Sequence, residues 1–175
     1  MRNRMTLARA AVCACLLLLS WQVSAVELPK GLLVLDGRAA PPLALSDLDG
    51  ERWDISEASG RWVFVHFWAA WCGPCREEMP TIQAIFSEFD PEEMEFAVIN
   101  TAESEDTVFS FLASVAPDIN PLLDTDGLVT ERWQPRGLPA TFFVDPEGKL
   151  RYLALGGRPW DTPEYLDFIK RLIKQ

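Results

Sequence analysis

The run Val63-Phe64-Val65-His66-Phe67-Trp68 constrains this chain more than any other segment, because it leaves no polar face. A strand of that kind belongs inside a sheet covered on both sides by helices. The segment that follows supports such a layered fold. From Pro74 to Phe89, the residues Met79, Ile82, Ile85, Phe86 and Phe89 recur three and four positions apart, which is the spacing of one buried helix face. Pro80 lies within this helix. Proline lacks a backbone donor and crowds the carbonyl four residues back, so a bend near Arg76 is expected.

The remaining elements continue an α/β rhythm. Leu43 to Leu45 and Arg52 to Ile55 flank Asp47-Leu48-Asp49-Gly50 as a small hairpin. Glu95 to Asn100 reads as a second buried strand. Thr107 to Val115 reads as a helix with Val108, Phe111, Leu112 and Val115 inward, and a short apolar piece follows at Leu122-Leu123. A brief helix spans Val129 to Trp133. Thr141 to Val144 and Leu150 to Leu155 form strands joined through Asp145-Pro146-Glu147-Gly148-Lys149, a tight reversal. Glu164 to Ile173 closes the chain as a helix over the sheet.

The amino terminus has a different character. Arg2, Arg4 and Arg9 precede the apolar stretch Ala10 to Ser20, and Val23-Ser24-Ala25 offers small residues at signal-peptidase spacing, so residues 1–25 read as a secretory signal peptide. The apolar stretch falls short of the about 20 residues of a transmembrane helix. An uncleaved anchor extending through Val26 is the alternative. Residues 26–40, rich in Pro and Gly, form an extended lead-in, and residues 41–175 form a single domain of ordinary size for 175 residues. The formal charge is −10. Removal of the three arginines makes it −13, a surface that repels phosphate backbones and excludes nucleic-acid binding.

Of four cysteines, Cys13 and Cys15 leave with the signal segment, and only Cys72 and Cys75 remain. Two thiols so spaced suit exchange rather than a structural framework. Cys72 sits where strand gives way to helix. There it faces unpaired N–H groups and the positive end of the helix dipole, which favour thiolate over thiol. Cys72 is therefore the expected nucleophile and the more shielded Cys75 the resolving thiol. Between them, Gly73 and Pro74 add no cation, and Pro74 suits a first helical turn.

Phe67-Trp68-Ala69-Ala70-Trp71-Cys72-Gly73-Pro74-Cys75-Arg76-Glu77-Glu78-Met79-Pro80 resembles the active-site signature of exported TlpA-like and ResA-like members of the thioredoxin superfamily. Gly137-Leu138-Pro139-Ala140-Thr141-Phe142-Phe143-Val144-Asp145 resembles that branch's second signature. Together with an extra segment at Thr101 to Asp124, the match spans about residues 40 to 174. The resemblance implies a thioredoxin-like fold: a central mixed sheet flanked by helices, with an amino-terminal hairpin and a helix-strand insertion. It further implies that Pro139 is a cis proline beside Cys72 and that Leu138 offers backbone groups to an extended client segment. Trp71 is expected at the docking surface and Trp68 in packing.

Glu78 matches an acidic residue that ResA-like proteins keep near their thiols. Its other reading is a solvated first-turn acid beside Glu77. His66, the only histidine, stands where thioredoxin has a buried aspartate. A histidine there can relay a proton to Cys75, since its ordinary pKa is near neutrality, or it can be a core residue bonded to backbone.

These readings converge on an exported, periplasmic or extracytoplasmic thiol-disulfide oxidoreductase that reduces client disulfides. By analogy with the branch, it serves cytochrome c maturation or respiratory-complex assembly and is recharged by a membrane-bound electron donor. Ala140 departs from the glutamate that dedicated cytochrome maturation reductases often carry there. The expected state is a monomer without metal or other cofactor. Too few ligands exist for structural zinc. Copper-site assembly through the same dithiol is the alternative function. A peroxidase lacks its proline- and threonine-rich cysteine context, and a DsbA-like oxidant lacks the histidine between the cysteines.

Overall fold

Alternation along one strand organises the molecule, for which a computed structural model describes residues 28–174. The expected signal segment lies outside the described residues. All seven residues of β4 (Trp62–Trp68) are buried. Trp62, Phe64 and Trp68 enter one core cluster, while Val63, Val65 and Phe67 enter a second on the opposite face. Period-two alternation with both faces apolar is what a central strand requires.

Three other strands precede β4: β1 (Leu32–Val34), β2 (Ala44–Ser46) and β3 (Arg52–Asp54). After it come α1 (Gly73–Phe86), β5 (Met94–Thr101), α2 (Glu105–Val115), β6 (Leu122–Asp124), α3 (Leu128–Trp133), β7 (Ala140–Val144), β8 (Leu150–Leu155) and α4 (Pro163–Leu172). The main sheet runs β1-β8-β7-β4-β5-β6, and β2 pairs with β3 as a separate hairpin. β5 is parallel to β4 and to β6, whereas β7 is antiparallel to β4 and β8. The sheet is therefore mixed, as the thioredoxin-like resemblance implies. α2 and β6 occupy the expected insertion. No helix among the described residues is long and apolar enough to cross a membrane.

Two details differ from the sequence reading. α1 ends at Phe86 rather than Phe89, with Ser87 as its cap, although Phe89 stays buried. The lead-in also carries β1, which completes the sheet edge by pairing with β8. Its brevity and Gly31, held at φ 84°, hid it from a periodicity test. Pro80 sits inside α1, as expected, and leaves the Arg76 carbonyl without its helical donor.

The first cluster joins Met79, Ile82 and Ile85 of α1 to Phe168, Ile169 and Leu172 of α4. Phe143 of β7 is fully buried at its centre, edge-on to Phe64 and Phe168 at ring separations of 5.5 Å each. Phe143→Ala removes those contacts and leaves a cavity, so it is expected to lower stability by about 3–5 kcal/mol in urea unfolding.

Candidate active site

Four residues, Ala69 to Cys72, carry the chain from the end of β4 to the start of α1. Cys72 is the N-cap of α1, with extended backbone at φ −81° and ψ 110°. Its Sγ accepts the Cys75 N–H at 3.3 Å, and its carbonyl accepts the Arg76 N–H at 3.1 Å. A donor that α1 cannot satisfy internally therefore points at this sulfur, together with the positive end of the helix dipole. Cys72 and Cys75 are joined as a disulfide with Cα atoms 5.2 Å apart. Cys72 keeps 5% of its surface and Cys75 none, so only the first is open to a partner.

The neighbours take distinct positions. Trp71 is 71% exposed beside Cys72, while Trp68 is buried against Phe111. A side chain at Gly73 would meet nothing within 4 Å, so no steric demand selects glycine there. Pro74 occupies the first turn, as expected. The Leu138–Pro139 bond is cis. Ala140 pairs with Phe67, which sets Pro139 level with Trp68 at the end of the sheet where the cysteines lie. The Pro139 carbonyl accepts the Gly156 N–H at 2.8 Å, and Leu138 packs partly buried against both cores.

The loop before Cys72 is held from two sides. Glu103 accepts the Ala70 N–H and the Asn100 side-chain amide, each at 2.7 Å. Arg76 donates to the Ala70 carbonyl at 3.1 Å and stacks its guanidinium over Phe111 at 4.8 Å. The insertion thus fastens the Ala70 N–H through Glu103, while α1 fastens its carbonyl through Arg76, which rests on Phe111 of the insertion. Sequence reasoning did not find Glu103, because nothing local distinguishes it from other surface acids.

Glu78 is 4% exposed, so it is not a solvated acid. Its Oε2 accepts the Arg158 N–H at 2.6 Å, and its Oε1 faces His66 Nε2 at 3.1 Å. Neither of those two facing atoms has another hydrogen-bond partner. His66 is fully buried, and its Nδ1 lies 2.9 Å from Thr141 Oγ1. It bonds side chains rather than backbone. Gly157 makes this approach possible, since a Cβ there would fall 3.1 Å from the Pro74 carbonyl. A cavity of about 290 Å³ lined by Pro74, Glu77, Glu78 and Arg158 opens beside the first turn of α1. Thr141 and Arg158 carried no sequence signal of their own, because each reaches the site only through sheet pairing or a late loop.

Burial pushes the Glu78 carboxyl up to about 8, against the opposing Arg158 N–H and charge. Burial pushes the His66 imidazole down to about 3. At neutral pH the pair therefore holds one proton, on Glu78, and carries no net charge. Among the described residues, no group of three or more His, Cys, Asp or Glu is placed to hold a metal ion.

The AhpC/TSA family profile matches residues 37–153. The thiol-disulfide oxidoreductase ResA of Bacillus subtilis is 33% identical over 123 residues, covering 70% of this chain and 69% of that protein. ResA of Geobacillus thermodenitrificans is 29% identical over 135 residues, covering 77% and 78%. The crystal structure described as a thiol:disulfide interchange protein DsbE from Chlorobium tepidum aligns with a TM-score of 0.71 at 26% identity, covering 81% of this chain and 99% of that one.

The dyad makes stability depend on pH. Glu78 keeps its proton in the folded state between its unfolded value of 4.5 and about 8, so its contribution is lost as pH rises through that window. His66 acts oppositely: its contribution is present above 6.5 and lost as pH falls toward about 3. The two slopes offset each other from 4.5 to 6.5, leaving Glu78 alone above. Unfolding of the oxidised protein should therefore show a loss of about 2 kcal/mol from pH 6.5 to 8, and Glu78→Gln should flatten that decline.

Proposed function

Because this chain belongs to the AhpC/TSA family and is a thiol-disulfide oxidoreductase, we propose that it reduces disulfides of client proteins outside the cytoplasm. Cys72 is the nucleophile and Cys75 the resolving thiol. The observation that carries this reading is the Cys75 N–H directed at Cys72 Sγ on the amino-terminal end of α1.

The cycle balances as follows. The reduced protein presents a Cys72 thiolate, which attacks one sulfur of a client disulfide and releases the other as a thiolate that takes a proton from water. The Cys75 thiol then loses its proton and attacks Cys72 Sγ. The second client sulfur leaves and is protonated, and the Cys72–Cys75 disulfide remains. Recharging reverses the order: a donor thiolate attacks Cys72, and Cys75 departs into a fully buried position where a bare thiolate is costly. Glu78, one turn further along α1, is the acid that supplies its proton.

Leu138, beside cis-Pro139, and the exposed Trp71 border the approach to Cys72, and they form the groove for an extended client segment. The basic, apolar and small-residue sequence of residues 1–25 supports export, after which a membrane-bound donor is the reductant. Cytochrome c maturation or respiratory-complex assembly is the client pathway the branch resemblance favours.

Cys72→Ser is expected to abolish insulin reduction. Cys75→Ser, expressed with its export signal, should accumulate mixed disulfides that reductant releases, seen as shifted bands on non-reducing gels. Full insulin reduction by Cys72→Ser, or trapped proteins that carry no cysteine pair, would remove the assignment.

A further inference from the structure

His66 is fully buried, its two ring nitrogens face two different elements of the site, and the thiol chemistry above makes no use of it. From β4 it reaches Thr141 of β7, two residues after cis-Pro139, and Glu78 of α1, three residues after Cys75. One side chain thus joins the strand that follows the client groove to the helix that carries the dithiol.

We propose that His66 is a positioning residue: held by Thr141 with its hydrogen on Nδ1, it presents a bare Nε2 to Glu78 and keeps the carboxyl proton on Oε1, reserved for Cys75. This rests on the reductase reading of Cys72 and Cys75 and assigns the control of their proton source. Oε2 already accepts the Arg158 N–H, so the proton of a neutral Glu78 belongs on Oε1. Oε1 faces Nε2 at 3.1 Å, and the other side chain bearing on the carboxyl, the Trp160 indole, is a donor, so an acid O–H on Oε1 has Nε2 as its acceptor. An imidazole that accepts at Nε2 while neutral must donate at Nδ1, where Thr141 Oγ1 lies 2.9 Å away.

The surrounding charges permit this arrangement. Arg158, which faces Glu78 from the segment after β8, and the Trp160 indole N–H both favour its carboxylate, but burial outweighs them; Glu77 shares the cavity beside it. Phe64 stacks along the imidazole from β4 with ring centroids 6.0 Å apart. When the disulfide opens, the Glu78 proton passes to the departing Cys75 sulfur, giving a thiol and a carboxylate. When Cys75 attacks, the proton returns, so atoms and charge balance over the cycle. The burial that raises Glu78 and lowers His66 is consistent with this division.

Because His66 is the only histidine, its ring can be read without ambiguity by nitrogen-15 NMR of the oxidised full-length protein. The expected spectrum at pH 6.5 is a neutral imidazole protonated on Nδ1, and it should stay uncharged down to pH 5. Thr141→Val keeps side-chain shape but removes the Nδ1 acceptor. The ring is then expected to turn its hydrogen to Nε2, which favours the carboxylate and lowers the Glu78 midpoint, read from its carboxyl carbon shift, by about one pH unit. The pH profile of disulfide reduction by dithiothreitol should move by the same amount. Thr141→Ser should restore the wild-type tautomer and both midpoints. An Nε2-protonated or charged ring in the wild type, or an unmoved Glu78 midpoint in Thr141→Val, overturns the proposal. Those outcomes are independent of insulin reduction by Cys72→Ser, which tests the reductase reading alone.

Discussion

The arrangement depends on one contact, the Cys75 backbone N–H directed onto Cys72 Sγ at the first turn of α1. It exists because β4 is buried along its whole length and only four residues connect it to α1. A helix that starts so abruptly has unsatisfied donors at its head, and Cys72 stands in the position where serine, threonine or aspartate would otherwise cap it. The cap is therefore also the sulfur proposed as the nucleophile. Glu103 of the insertion and Arg76 of α1 hold Ala70 from opposite sides and steady the loop that precedes the sulfur.

Behind this polar mouth the interior is dry, and that shapes how the second sulfur works. Cys75 is fully buried among apolar residues, with a buried acid one turn further along its helix. Apolar surroundings disfavour charge on either group. In the proposed cycle a single proton resolves the conflict, because the acid is neutral while the sulfur is bonded and charged only when the sulfur has taken its hydrogen. The helix end that favours a thiolate at Cys72 and the burial that disfavours one at Cys75 divide the pair into an attacking and a resolving member.

Much of this was legible in the residues. Apolar runs located β4 and β5, the three-four spacing located α1 and α4, and the cysteine pair at a strand-helix junction located the dithiol. What escaped has a physical reason in each instance. β1 is three residues long and owes its place to pairing with β8 rather than to its own pattern. Two readings of Glu78 stood open because its burial comes from Gly157 and Arg158, which fold over α1 from 79 and 80 residues away in sequence. His66 bonds Thr141 across a strand register, and no local signal in the sequence reveals such a pairing.

The central claim is that one sulfur is held ionised by the head of a helix. Ultraviolet titration of thiolate absorbance in the reduced protein measures this directly. The account predicts one thiol ionising about one or more pH units below the ordinary value of about 8.5, a step missing from Cys72→Ser and retained in Cys75→Ser. Two thiols titrating together near the ordinary value, with the lower step absent, would contradict it.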